Sequence, residues 1–313
     1  MLALPGAEVM PAPLLDRAGR IARGLQAQVE IFLSLYEPEI LQLLERRELL
    51  EERISVRIAG QRRELERSAD RLRDQGLSVR VSVRWDYPMF EGVIRQVLRH
   101  RPDLLMFPAI RTAEVTPRTL AYREARLIEA CPCPLLLLKT PEVYSKGAIV
   151  AAVDPLHARE TPRDLDEAIV GAAKTLSYAL ADPPVRIYHA VMPLRPAVGE
   201  IPGAPSLAAQ ETARRAAAEA RIVEMASRHD IPPDCVHVES GRVEASLPIF
   251  ARESRAQVVV MGAVSRSFPE RALFGHTAEK VLDALACDVL VVKPERFRCP
   301  VAADPAPAVP RPT

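Results

Sequence analysis

Residues Arg101–Glu142 read RPDLLMFPAIRTAEVTPRTLAYREARLIEACPCPLLLLKTPE, and residues Arg255–Glu295 read RAQVVVMGAVSRSFPERALFGHTAEKVLDALACDVLVVKPE. Displaced by 154 positions, the two align without a gap as far as a shared lysine, Lys139 on Lys293. Leu104, Leu105 and Met106 fall on Val258, Val259 and Val260, Ala109 on Ala263, and Cys133 on Cys287. Both stretches run apolar strand, loop, amphipathic helix, cysteine, second apolar strand. An internal repeat of this length means a tandem duplication, and it sets the reading of everything else.

Working outward, the second half predicts a buried parallel strand at Ala148–Val153, which ends at Asp154 and Pro155. A helix at Asp164–Ala181, a strand at Val185–Val191, a helix at Ala208–Arg228 and a strand at Cys235–Glu239 follow. Then come a helix at Glu244–Ser254, a strand at Val258–Met261, a helix at Thr277–Ala286 and a strand at Val289–Val292. The first half predicts the same succession: helix Leu14–Leu25, strand Val29–Leu35, a long charged helix Glu39–Gln75, strand Leu77–Trp85, helix Met89–Arg99, then the shared module ending in strand Leu135–Leu138. Its opening strand, in MLALPG, is expected to be poor, since Pro5 interrupts it. Strands alternating with helices imply parallel sheets covered on both faces. The expected fold is therefore α/β: two tandem Rossmann-like domains, residues 1–141 and 147–297, each a five-stranded parallel sheet flanked by helices. A Pro- and Ala-rich tail, 298–313, is expected to be disordered.

Length and composition agree. The 313 residues suit about two domains of roughly 150 each. Apolar residues are 48% and charged ones 27%, with 42 basic against 41 acidic, so the chain is no disordered tail protein and carries no net basic surface for coating nucleic acid. No run of about 18 apolar residues occurs, and the N-terminus lacks the basic region that opens a signal peptide. Five cysteines, Cys131, Cys133, Cys235, Cys287 and Cys299, are an odd count unlike a disulfide framework. The C-x-C at 131–133 is neither a thioredoxin-type nor a zinc-type pair, and reads as small buried residues near strands. These features lead us to expect a cytoplasmic protein without membrane contact.

In an open α/β sheet the ligand lies beyond the carboxyl ends of the strands, where strand order reverses. That directs attention to the loop Gly262-Ala263-Val264-Ser265-Arg266-Ser267 and to Gly275-His276-Thr277, which opens a helix. Glycines let backbone amides approach an anion, and a helix N-terminus offers unpaired N–H groups to a phosphate. Thr277 can cap that helix or bond a phosphate oxygen, and Arg266 adds charge. An ordinary glycine turn with a threonine cap fits the same residues.

The segment VVVMGAVSRSFPERALFGHTAEKVLDALACDVLVVKP, together with the duplication, resembles the universal stress protein family. Its ATP-binding signature is a strand, G-x-x-G, nine residues, and G-[S/T] opening a helix. Trp85, Phe90 and Glu91, and the run Lys293 to Phe297, resemble the family's tandem-domain members. The resemblance implies that Gly262 and Gly275 match the first and third glycines, and that Asp154 matches the acidic residue facing the nucleoside. Two positions depart: Ser265 stands for the second glycine, and His276 for the hydroxyl residue, which comes one step later as Thr277. A Cβ at Ser265 costs about 1–3 kcal/mol if it strains the loop. In the first half the equivalents are Pro108, Arg111, Ala121 and Arg123, and Pro5 and Gly6 follow the first strand in place of a carboxylate. That half is not expected to bind ATP, because proline offers no amide hydrogen. The family also pairs through its fifth strands, which implies that Leu135–Leu138 and Val289–Val292 cover each other as an intramolecular pseudo-dimer, or a partner copy in a homodimer.

Other candidates are weaker. Six histidines (100, 157, 189, 229, 237 and 276) show no metal spacing, although His189 and His237 fall in strands that can share one interior. The leucines of the long helix, Leu41, Leu43, Leu44, Leu49 and Leu50, have a solvated salt-bridged face or the neighbouring domain as alternatives. The expected function is a regulatory or protective binding protein for survival under stress, including DNA-damaging conditions, as the resemblance implies. It has ATP as ligand in the second half, unidentified protein partners, no metal and no catalytic residues. A nucleotide-independent interaction scaffold or small-ligand carrier, and a slow ATP hydrolase with His276 or Asp154 positioning water, are the alternatives.

Overall fold

The computed structural model describes residues 1–4, 12–37, 40, 47–109, 122–141, 144, 147–156, 163–194, 206–263 and 276–303. It divides into two compact units, the first built from residues up to Val143 together with Phe297 onward, the second from Tyr144–Arg296 with a short excursion of the first half.

The first unit runs β1 (Leu2–Leu4), α1 (Ala12–Gly24), β2 (Val29–Leu35), α2 (Arg47–Arg73), β3 (Val79–Trp85), α3 (Met89–His100), β4 (Leu105–Pro108), α4 (Tyr122–Ala130) and β5 (Leu135–Leu138). Its strands are parallel in the order β3-β2-β1-β4-β5. Every residue of β2 and of β5 is buried, which is why β5 reads as an unbroken apolar run and β2 carries only Glu30 and Ser34 among apolar residues. The opening strand forms despite Pro5, because the ladder needs only Leu2–Leu4: Leu2 pairs with Ile31 on one side and Met106 on the other.

Helix α2 starts, among the described residues, at Arg47, and Leu41, Leu43 and Leu44 lie outside them. It packs on β3, β2 and α1 of its own unit. Leu50, Leu65, Ala69 and Leu72 are buried, and Leu49 is exposed. The long charged helix thus has a buried stripe within its own unit.

The second unit runs β6 (Ala148–Ala152), α5 (Arg163–Ala179), β7 (Val185–Val191), α6 (Leu207–Arg228), β8 (Val236–Ser240), α7 (Val243–Glu253), β9 (Ala256–Gly262), α8 (His276–Ala284) and β10 (Asp288–Val292). The parallel order is β8-β7-β6-β9-β10, the first unit's order repeated. Register repeats as well: Leu105 pairs with Leu135 in one unit and Val259 with Val289 in the other, each displaced by the same 154 positions. Val258, Val259 and Val260 are fully buried. The buried Asp288 at the start of β10 accepts a 2.7 Å hydrogen bond from the Tyr144 hydroxyl. Among the described residues no helix is long and apolar enough to cross a membrane. Arg298 to Ala303 of the expected tail are described, and Cys299 there is half-buried; 304–313 lie outside the described residues.

Two packing details carry weight. In the first unit Arg95 on α3 grips Asp86, just past β3, through Nε at 2.9 Å and Nη2 at 2.7 Å, and adds Glu91 and the Tyr87 carbonyl. Both partners' side chains are under 10% exposed, at 6% and 8%. A fork-to-carboxylate pair buried this deeply resists loss of either member, because the other charge is left in a dry site. In the second unit Gly262 ends β9 where α5 crosses it. A Cβ there would lie 2.7 Å from Leu165 Cδ2 and 3.3 Å from Ile169 Cδ1. The glycine lets the helix close on the strand end.

Two outcomes follow for stability. Asp86→Ala should lower the unfolding free energy by about 3–5 kcal/mol in urea denaturation, with Asp86→Leu/Arg95→Met recovering most of it. An effect below about 1 kcal/mol would show that the pair is not desolvated. Gly262→Val should cost about 1–3 kcal/mol by overpacking against Leu165, and an unchanged urea midpoint would contradict the close approach.

Candidate functional site

Strands β6 and β9 lie side by side with Ala152 opposite Met261. The residues that follow them, Val153-Asp154 and Gly262-Ala263, therefore leave the sheet at one end and next to each other. From β6 the chain order steps to β7 on one side and to β9 on the other, so this is the point of reversal where α/β sheets open a crevice.

The turn after β6 is pinned from three elements. The Asp154 amide donates to Asp166 Oδ1, 3.0 Å away in the first turn of α5. His189 of β7 places Nδ1 2.9 Å from the Val153 carbonyl; a carbonyl only accepts, so this nitrogen carries the proton. Arg221 of α6 donates to the Pro155 carbonyl at 2.7 Å. With its backbone held, Asp154 presents a carboxylate that is 38% exposed and 3.9 Å from His189 Nδ1. An oriented, half-solvated carboxylate at a crevice can accept from the hydroxyls of a bound molecule.

Helix α8 begins at His276, and Thr277 is its exposed second residue. Thr277 is therefore inside the helix and not its cap. Ser265, Arg266 and Gly275 lie outside the described residues, as does the rest of 264–275. Of the seven expected site residues, the structure brings Asp154 and Gly262 together at the crossover and sets His276 and Thr277 at a helix start. Gly262 also has a packing role that its place in the motif did not reveal, since Leu165 and Ile169 occupy the space beside its Cα. Asp166, His189 and Arg221 complete the turn. A signal for Asp166 was present, as an acid in the first turn of the helix that follows the strand; Arg221 has none, being 66 residues from its acceptor.

The first unit repeats the frame without these groups. Its Ala109 amide donates to the Leu138 carbonyl at 2.8 Å, as Ala263 does to Val292 at 3.2 Å. The loops thus depart from equivalent points, but Pro108 stands where Gly262 does. Residues 5–11 and 110–121, which would complete that end, lie outside the described residues.

His189 and His237 do not share an interior. Tyr188 is the residue opposite His237, so His189 points to the other face of the sheet. The His237 ring packs 4.8 Å from Phe250 of α7, and burial, helped by Arg186, lowers its pKa. Tyr188 stacks on the same phenylalanine, and burial raises its pKa. Among the described residues no group of three or more His, Cys, Asp or Glu is placed to hold a metal ion.

With this geometry in view, the comparisons are specific. Residues 149–293 match the Universal stress protein family. The chain is 27% identical over 298 residues to universal stress protein E of Photorhabdus laumondii subsp. laumondii, with 93% of each chain covered. A crystal structure from Pseudomonas aeruginosa superposes with a TM-score of 0.71 at 24% identity, covering 94% of this chain and 93% of that one. A universal stress protein from Archaeoglobus fulgidus superposes with a TM-score of 0.60 at 14% identity, covering 93% and 98%. These two likenesses speak to the fold. Over residues 149–293 the chain thus matches the universal stress protein family, and over 93% of its length it is similar to a universal stress protein E.

Proposed function

We propose that this protein is a stress-response binding protein with one nucleotide site per chain, in its second half, and that ATP is the ligand. The observation that carries the proposal is the juxtaposition at the β6/β9 crossover of a held, half-exposed Asp154 with the strand end that leads, through 264–275, into helix α8. Asp154 would accept from the ribose hydroxyls. Ser265, Arg266, Gly275, His276 and Thr277 would hold the phosphates, with the N–H groups and dipole of the helix start aiding them. Gly262 would serve the site by letting α5 close under it. The formal charge of +1 supports a small ligand or a protein partner over a nucleic-acid backbone. The proposed role is regulatory or protective binding in the cytoplasm, with no chemical step. It includes pairing of the apolar fifth strands, with each other or with a second copy, which would cover two sheet edges.

One observation favours a second reading, a nucleotide-independent scaffold. The bare face of Gly262 is already filled by Leu165 and Ile169, and Ser265 carries a side chain where the family signature has glycine.

Mass spectrometry of small molecules released on denaturing the gently purified protein separates the two. ATP or ADP in stoichiometric amount, lost from a folded Gly275→Trp variant, is the expected result. A chain that releases none, and gives no heat when titrated with ATP, would overturn the nucleotide site in favour of the scaffold. ADP formed from bound ATP in a single turnover would instead make the protein a slow hydrolase.

A further inference from the structure

At the amino end of the first unit's strands, opposite the ligand end, the chain leaves α4 through Cys131-Pro132-Cys133-Pro134 and enters β5. Cys131 is 1% exposed, and its amide donates to the Leu127 carbonyl at the helix end. Pro134 gives its carbonyl to the Leu105 amide of β4 at 2.9 Å. Two prolines fix φ at positions 132 and 134, so the tetrapeptide is held at both ends and stiff within. In this setting Cys131 Sγ lies 3.6 Å from Cys133 Sγ and 3.3 Å from the Cys133 carbonyl. Cys133 is only partly buried.

The duplication supplies an internal comparison. Cys133 has a counterpart in Cys287, but the residue at the place of Cys131 is Leu285, which is buried at 3% exposure. Packing at this position is met by an aliphatic side chain, so the fold itself does not require the second thiol. The pair also differs from the other cysteines in acidity. The hydrogen bond it shares with the Cys131 thiol lowers the pKa of Cys133, whereas burial raises those of Cys235 and Cys299. A thiolate is the reacting form, and it is favoured where a neighbour already stabilises the negative sulfur.

We propose that Cys131 and Cys133 are a hydroperoxide-responsive dithiol that closes to an intramolecular disulfide, a redox site distinct from the nucleotide crevice. The Cys133 thiolate attacks one oxygen of ROOH; an S–O bond forms, the O–O bond breaks, and ROH departs with a proton, leaving Cys133 as a sulfenic acid. The Cys131 sulfur then attacks the Cys133 sulfur; the S–S bond forms, the S–O bond breaks, and water leaves with the Cys131 proton. Two thiols lose two electrons, and the peroxide gains them. The roles follow from exposure: Cys133 is reached from solvent and reacts first, while the buried Cys131 sits within one bond-forming movement of it. Exchange with a small thiol reopens the bond.

The test uses the full-length reduced protein, treated with one equivalent of hydrogen peroxide, alkylated with iodoacetamide and digested with trypsin. The peptide Leu127–Lys139 is expected to come out unalkylated and two hydrogens lighter, and to take two alkyl groups after dithiothreitol. Cys131→Ser should stop at a Cys133 sulfenic acid that dimedone captures, and Cys133→Ser should give neither product. Two alkyl groups on Leu127–Lys139 after peroxide in the wild-type chain, or Cys133 joined to Cys235, Cys287 or Cys299, would overturn the proposal. The deciding measurement is on the unmutated protein, so it does not depend on how the variants fold.

Discussion

Parallel pairing is the constraint on which the rest of this protein depends. A parallel strand cannot return to its neighbour by a tight turn, so within each unit successive strands are joined by helices that recross the sheet. Those helices cover both faces, which is why β2, β5 and β10 are buried along their whole length and why the chain has so many unbroken apolar runs. The crossovers must change side somewhere, and in the second unit they do so between β6 and β9. The two strand ends there are left uncovered by either neighbouring crossover. Asp154 owes its position to that topology, and the bonds from Asp166, His189 and Arg221 then stiffen the turn that carries it.

Duplication turns the molecule into its own control. The same register and the same loop-anchoring hydrogen bond occur in both units, at Ala109 and at Ala263, so the frame is insensitive to what the loops contain. The chemistry placed on the frame has diverged. Glycine and carboxylate mark the second unit's crossover, while Pro108 closes off an amide donor in the first. At the opposite end of the sheet the divergence runs the other way, with two thiols in the first unit where the second has one and a leucine. Each copy has kept the core while the residues at its two sheet ends have diverged.

Much of this was legible from residues alone, and the exceptions have physical causes. Strands β2, β5 and β7 were expected at their observed bounds, because short stretches rich in apolar residues and bounded by turn residues are too brief for a helical period. The opening strand was undervalued, since a proline just past a three-residue ladder removes no hydrogen bond from it. The stripe of Leu65, Ala69 and Leu72 on α2 was hidden among runs of arginine and glutamate whose long stems surround it. At the β6/β9 crossover, the strand ends that carry Asp154 and Gly262 were legible in the apolar runs that precede them. The partners of that turn were not, because Arg221 and Asp166 reach it through space from separate helices. His189 and His237 looked like companions until the register of β7 on β8 set them on opposite faces, and no single strand carries that information. The 3.6 Å approach of Cys131 and Cys133 likewise needs the two prolines and the strand entry to be placed together.

The asymmetry between the two units is tested most directly by calorimetric titration of the nucleotide-stripped, full-length chain with ATP. One site per chain, weakened by Asp154→Asn and unaffected by Pro108→Ala, is the predicted result. Two equivalent sites would mean that Pro108 and the missing carboxylate do not matter, and no binding at all would mean that the β6/β9 crossover is not a nucleotide site; either contradicts the specialisation of one copy for this ligand.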